Sequence, residues 1–175
     1  MMKRRSIFTA ALVLAGAGVI LIPLRAAAAP VDTLYRFAGT WHSQGTFVDS
    51  PYQKAGSASG TTTCAWSNDH VFMICQQISS LNGMHDSDVA IFTYDDGSKS
   101  YRFYSVRPGG TDSVAITVDP KTITYPGSFT DRGKKVMIRT VNSWDNPSLY
   151  HWRAEYSTDG GTTWKLMGSG SSQRQ

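Results

Sequence analysis

The stretch Leu149-Tyr150-His151-Trp152-Arg153-Ala154-Glu155-Tyr156 alternates bulky apolar residues with polar or charged ones at every second position. Successive side chains of a β-strand point to opposite faces, so Tyr150, Trp152, Ala154 and Tyr156 belong to a sheltered face and His151, Arg153 and Glu155 to a wet one. Asp145-Asn146-Pro147 before this stretch and Asp159-Gly160-Gly161 after it carry the residues that tight turns require. The same punctuation recurs outward along the chain at Asp95-Asp96-Gly97, Pro108-Gly109-Gly110, Asp119-Pro120 and Asp131-Arg132-Gly133. Between these signals the pattern predicts ten strands, over 40–49, 56–66, 70–79, 87–95, 100–107, 112–118, 121–127, 134–144, 148–157 and 163–172. Strands so closely spaced describe an antiparallel meander. An open meander of that size would expose two edges, so an all-β, up-and-down closed barrel is the economical architecture.

Ahead of the first strand, Pro30 to Phe37 has the composition of a short helix, with Asp32 or Thr33 as cap and Gly39 as its end. In several strands both faces are partly apolar. Val89, Ile91 and Thr93 oppose Ala90, Phe92 and Tyr94, and Val136, Ile138 and Thr140 oppose Met137, Arg139 and Val141. Such two-sided strands fit a barrel that is covered outside in places, or whose interior holds something besides its own side chains.

Residues 1–28 read as a cleavable export signal. Lys3, Arg4 and Arg5 precede an apolar run over 7–24, and Ala26 and Ala28 supply the small residues of a cleavage site. The expected cut follows Ala28, which keeps Pro30 off the scissile bond and leaves 29–175 as one domain. Arg4-Arg5-Ser6-Ile7-Phe8 also resembles a twin-arginine signal, and either route implies a periplasmic or secreted protein. Four of the 17 basic residues lie in this leader, so the mature chain carries 13 basic residues against 13 acidic ones. A net charge near zero removes the electrostatic case for nucleic acid or an anionic membrane as partner.

Cys64 and Cys75 flank a hairpin turning at Asn68-Asp69. A hairpin centred between Asp69 and His70 sets the two cysteines directly opposite and Trp66 opposite Met73. In an oxidising compartment such a pair forms a cross-strand disulfide, whereas a register one residue different leaves two reduced thiols.

Phe37-Ala38-Gly39-Thr40-Trp41 runs a short helix into Gly-x-Trp at the head of the first strand, which resembles the opening motif of lipocalins and related calycin barrels. The resemblance implies that Gly39 and Trp41 close the barrel floor and that an arginine from late in the chain covers the Trp. Arg174 is the first candidate and Arg139 the second. From Leu34 to Arg174 the chain is also similar to small bacterial lipocalin-like domains of no settled activity, which end in a strand-turn-strand like Glu155 to Trp164. A more distant resemblance is to nitrobindin-type haem barrels, although Gly45 here follows Trp41 by four residues where that family has a closer spacing.

The inventory for catalysis is thin. Glu155 is the only glutamate, no Gly-x-Ser-x-Gly elbow occurs, and the cysteines are explained as a pair. The expectation is a protein that is not an enzyme and carries no cofactor or metal. Of the four histidines, strand parity turns His42 and His151 outward, His70 lies at a turn, and His85-Asp86-Ser87-Asp88 forms a loop in which an imidazole meets two carboxylates. Ser157-Thr158-Asp159-Gly160-Gly161-Thr162-Thr163-Trp164 matches an Asp-box and reads as a turn fastener, with Asp159 capping and Trp164 packing beneath. The expected ligand-binding side chains are Trp66, Phe92, Tyr101, Phe103, Tyr150, Trp152 and Tyr156, because small-barrel pockets are lined by aromatics with a few polar groups. The leading expectation is therefore an exported barrel that binds a small apolar or amphipathic molecule without catalysis. The alternatives are a solid-core interaction module using an exposed loop over 81–85, and a haem-binding barrel. Nothing in the sequence sets the oligomeric state.

Overall fold

The computed structural model describes residues 30–175. The export signal expected over residues 1–28 lies outside them. A 3₁₀ helix, Pro30–Phe37, leads into ten strands: β1 (Gly39–Phe47), β2 (Gly56–Trp66), β3 (Phe72–Leu81), β4 (Met84–Asp95), β5 (Ser100–Arg107), β6 (Gly110–Val118), β7 (Thr122–Asp131), β8 (Lys134–Asn146), β9 (Leu149–Ser157) and β10 (Lys165–Arg174). Each strand pairs antiparallel with the next, and β10 returns to β1, so the sheet closes as the meander requires.

Boundaries differ from expectation chiefly at one hairpin. Asn82 and Gly83, with φ of 52° and 79°, make the two-residue turn between β3 and β4. Positive φ at both central positions is the twist-matched hairpin geometry. The strand pairing therefore runs up to Leu81 opposite Met84, and His85 to Asp88 lie on β4 where a loop was expected. Strand alternation then sends His85 outward while Asp86 and Asp88 face the lumen, which separates the imidazole from both carboxylates. Among the described residues, no group of three such side chains could hold a metal ion.

The register fixes the inner face. Trp41 is opposite Arg174 on one side and Thr62 on the other, and Cys64 is opposite Cys75 with a Cα separation of 4.0 Å, bridged as a disulfide. Trp66 opposes Met73, as the centred hairpin requires. On β8 the inward set is Val136, Ile138 and Thr140, paired with Tyr156 and Ala154 of β9.

The end of the barrel carrying the 3₁₀ helix is solid. Leu34 and Phe37 of the helix are buried in it, with Trp41, Met73, Phe92, Ile123, Trp144 and Tyr150. Phe37 stacks on Phe92 at 5.1 Å and meets Trp144 edge-on at 5.0 Å, while Trp144 lies 4.9 Å from Tyr150. Such aromatic pairs add about 0.5–1.5 kcal/mol each beyond the area they bury. The Arg174 guanidinium lies 4.7 Å from the Trp41 ring centre and donates to the Arg36 carbonyl at 2.6 Å, and Trp41 Nε1 donates to the Phe37 carbonyl at 2.9 Å. Arg174 is thus the late arginine over the floor tryptophan. Arg139, the second candidate, lies 4.0 Å over Trp164 on the outer wall.

Candidate ligand cavity

Away from the helix the barrel is hollow, with a cavity of about 1200 Å³ bordered by all ten strands. The position of the hollow follows from side-chain size. Inward positions near the helix hold Trp41, Met73, Phe92 and Trp144, whereas further along β1, β2 and β9 they hold Ser43, Ala58, Gly60 and Ala154. Small residues at inward positions leave lumen unfilled.

One wall is aromatic. Trp152 lies flat against the paired glycines Gly45 and Gly170, where a Cβ would come within 2.4 Å and 2.7 Å of its indole. Phe47 flanks that ring at 5.8 Å, and Tyr150 lies below it on the same strand. Phe92, Phe103 and Tyr125 continue the apolar lining, with Phe103 at 5.1 Å from Phe92 and 5.4 Å from Tyr125. Burial pushes the Tyr125 phenol well above its usual range and raises that of Tyr150, so both hydroxyls stay protonated.

Towards the mouth, strands β2 through β6 turn polar groups into the cavity. Thr62 donates to Gln77 Oε1 at 3.2 Å, Asp88 is half-buried beside them, and Arg107 is ion-paired with Asp112 at the mouth. Desolvation, followed by the like charge of Asp86, raises the Asp88 pKa, and the charge of Arg107 opposes them. The wall is laddered throughout except between β6 and β7, which pair only at Thr117–Thr124 and Val118–Ile123. Beyond those two rungs the strands border the cavity without bonding each other, and Pro126 on β7 has no N–H to offer a new strand.

Of the seven expected ligand-binding side chains, Phe92, Phe103, Tyr150 and Trp152 line this cavity. Trp66 stacks against His70 at 5.8 Å in the closed end, and Tyr101 donates its hydroxyl to the Pro30 carbonyl at 2.7 Å, fastening the helix. Tyr156 faces inward near the mouth, where Tyr52 of the β1–β2 loop covers it at 5.1 Å. The polar half, Gln77, Asp88, Arg107 and Asp112, was missed. Extending the parity of Phe92 backwards through Ala90 reaches Asp88, and that signal was present in the sequence.

Several outward residues behave differently from a simple wet face. Glu155 does point outward, yet it is 6 % exposed because Arg139 Nε at 2.7 Å and Arg153 Nη2 at 2.9 Å close over it. Trp164 stacks on that Arg139, so the β9–β10 hairpin folds back onto the outer wall. Asp159 fastens the hairpin as expected. Its carboxylate accepts from the Ser157 hydroxyl at 2.7 Å, the Thr163 N–H at 2.9 Å and the Thr163 hydroxyl. His42 bonds Thr61 and His151 bonds Asp145, both on the outside. With His85 outward and His70 on the Trp66 ring, no imidazole of the described residues faces the cavity, so the haem alternative finds no histidine ligand there.

No family model matches the chain, and no curated protein matches it in sequence. Its backbone is similar to that of Rv2717c from M. tuberculosis, with a TM-score of 0.57 at 14 % identity over 84 % of this chain and 98 % of that one. It is also similar to the S-type phycobiliprotein lyase CPES from Guillardia theta, with a TM-score of 0.50 at 13 % identity over 82 % of this chain and 91 % of that one. At such identities the likeness is one of fold alone.

Proposed function

We propose that this protein is an exported, non-catalytic barrel that binds a small amphipathic molecule in its lumen. The observation that carries the reading is the cavity of about 1200 Å³, lined by aromatic rings together with hydroxyl, amide and charged groups. Pockets of roughly 300–1,000 Å³ hold drug-sized ligands in the same kind of lining, so the volume suits a ligand of that size or somewhat larger. The solid-core alternative describes only the helix end. Its proposed loop over 81–85 reduces to the turn Asn82–Gly83, although Met84 beside it is 70 % exposed. Export is supported by the leader pattern of residues 1–28 together with the Cys64–Cys75 disulfide, a bond at home in oxidising compartments.

Titration with a neutral naphthylamine dye tests the binding reading. Saturable, blue-shifted fluorescence is expected from the native protein. In Ala58→Trp, which sets a ring at an inward position of β2, affinity should fall by about tenfold, or 1.4 kcal/mol, with circular dichroism unchanged. Equal uptake by both proteins would place the dye outside the lumen and end the reading. The mass of the chain recovered from the periplasm or medium should correspond to a start at Ala29.

A further inference from the structure

The charged side chains that strand alternation turns into the lumen lie on β4, β5 and β6, and their pairing is uneven. Arg107 on β5 and Asp112 on β6, diagonal neighbours in the ladder, form an ion pair. Asp88 sits deeper on β4, with Asp86 two residues nearer the mouth on the same face, and no basic side chain of the described residues forms an ion pair with either. Lys135 and Arg139 border the cavity on β8, but the register turns both outward, and Arg139 is spent on Glu155 and Trp164. Asp88 therefore lines the cavity with no ion-pair partner, and Arg107, whose charge also acts on it, is engaged with Asp112. The same cavity is lined by Phe92, further along β4 from Asp88, by Phe103 on the adjacent β5 and by Tyr150 and Trp152 on β9, and aromatic ring faces carry the negative side of the quadrupole.

Resting on the lumen-binding reading above, we infer that the ligand is an organic cation: an apolar body against the Trp152 wall, carrying an ammonium or amidinium group that binds Asp88. A carboxylate-headed amphiphile is the wrong match, because it would bring another negative charge beside Asp88 in the same half-buried space. Gln77, held by Thr62 beside Asp88, supplies an amide for a second polar atom of the head group. A free acid in a ring-lined cavity favours a cation twice over, through direct pairing and through the rings.

The test uses two probes with one body, a dansyl dye joined by an alkyl chain to either a primary ammonium or a carboxylate. Titrated into the native protein at neutral pH, the ammonium probe should bind at least about tenfold more tightly. In Asp88→Asn that preference should vanish through weaker binding of the ammonium probe, while the carboxylate probe binds as well as before or better. Equal affinities in the native protein, or tighter binding of the carboxylate probe, would overturn the inference and leave lumen binding intact. Failure of both probes and of the neutral dye would overturn lumen binding itself, and this inference with it. The comparison in the native protein stands whether or not Asp88→Asn folds.

Discussion

Gly170 shows how a single missing side chain shapes the cavity. A Cβ there would lie 2.1 Å from the Gln44 carbonyl oxygen and 2.7 Å from the Trp152 indole, and neither the backbone of the neighbouring strand nor a ring seated on it yields cheaply. Gly170→Ala should cost about 1–3 kcal/mol in urea melts and shift the Trp152 emission. Ser171→Ala, on the outer face of the same strand, should stay within about 0.5 kcal/mol. Asp159 makes a different residue-scale claim. Hydrogen bonds from Thr163 and Ser157 hold its carboxyl well below the usual aspartate range. A depressed folded pKa means that its fastening of the hairpin is fully present above the ordinary carboxylate range and is lost as pH falls towards the folded value. Carboxyl NMR should find Asp159 titrating below the other aspartates, and Asp159→Asn should remove that acid-sensitive component of hairpin stability. A midpoint in the ordinary range would show that these bonds do not fasten the turn.

At the scale of elements, the ten strands are unequal neighbours. Neighbouring pairs such as β8 and β9 ladder along most of their length, but β6 and β7 share only two rungs next to the turn at Asp119. Backbone groups beyond those rungs lack cross-strand partners on that side, and local opening there breaks fewer bonds. Amides of β6 from Thr111 to Ala115 should therefore exchange faster than those of β8 from Ile138 to Asn142 in a hydrogen-exchange series. Equal protection would mean that the seam is closed in solution. Pro126 suits this place, since a strand edge facing a cavity mouth invites pairing with another chain and a proline withholds the donor.

For the whole molecule, closure depends on one late residue reaching back to the beginning. Arg174 joins the last strand, the first strand and the helix through its stacking on Trp41 and its bond to the Arg36 carbonyl. Arg174→Met keeps much of the aliphatic stem but removes both interactions, and should lower global stability by about 1–3 kcal/mol, read as a parallel fall of near-UV dichroism and tryptophan emission on heating. Loss of the helix alone, with the barrel melting as before, would show that the plug is separable.

The barrel and the disulfide register were legible beforehand because each is a local or periodic matter: turn residues at short intervals, cysteines equidistant from a turn, alternation within a strand; the Arg174 clamp was an expectation only through the resemblance of Gly39-Thr40-Trp41 to the lipocalin opening motif. The split of the interior into a solid and a hollow half was not, because it depends on which inward residues from ten strands arrive at the same height, and a glycine on β10 gains meaning only beside the Trp of β9. Trp66 and Tyr101 lie at the closed end and Tyr156 beneath Tyr52, positions along the axis that strand alternation does not give, for the same reason. The buried outward Glu155 also needed three dimensions, since its cover comes from Arg139 on another strand and from the folded-back hairpin that brings Trp164. Sequence by itself determined that the chain would curl into a closed meander, since period and turn chemistry act between neighbours. Only the tertiary structure decided where the lumen lies and which charge it carries, since the size and charge of a cavity depend jointly on residues far apart in the chain.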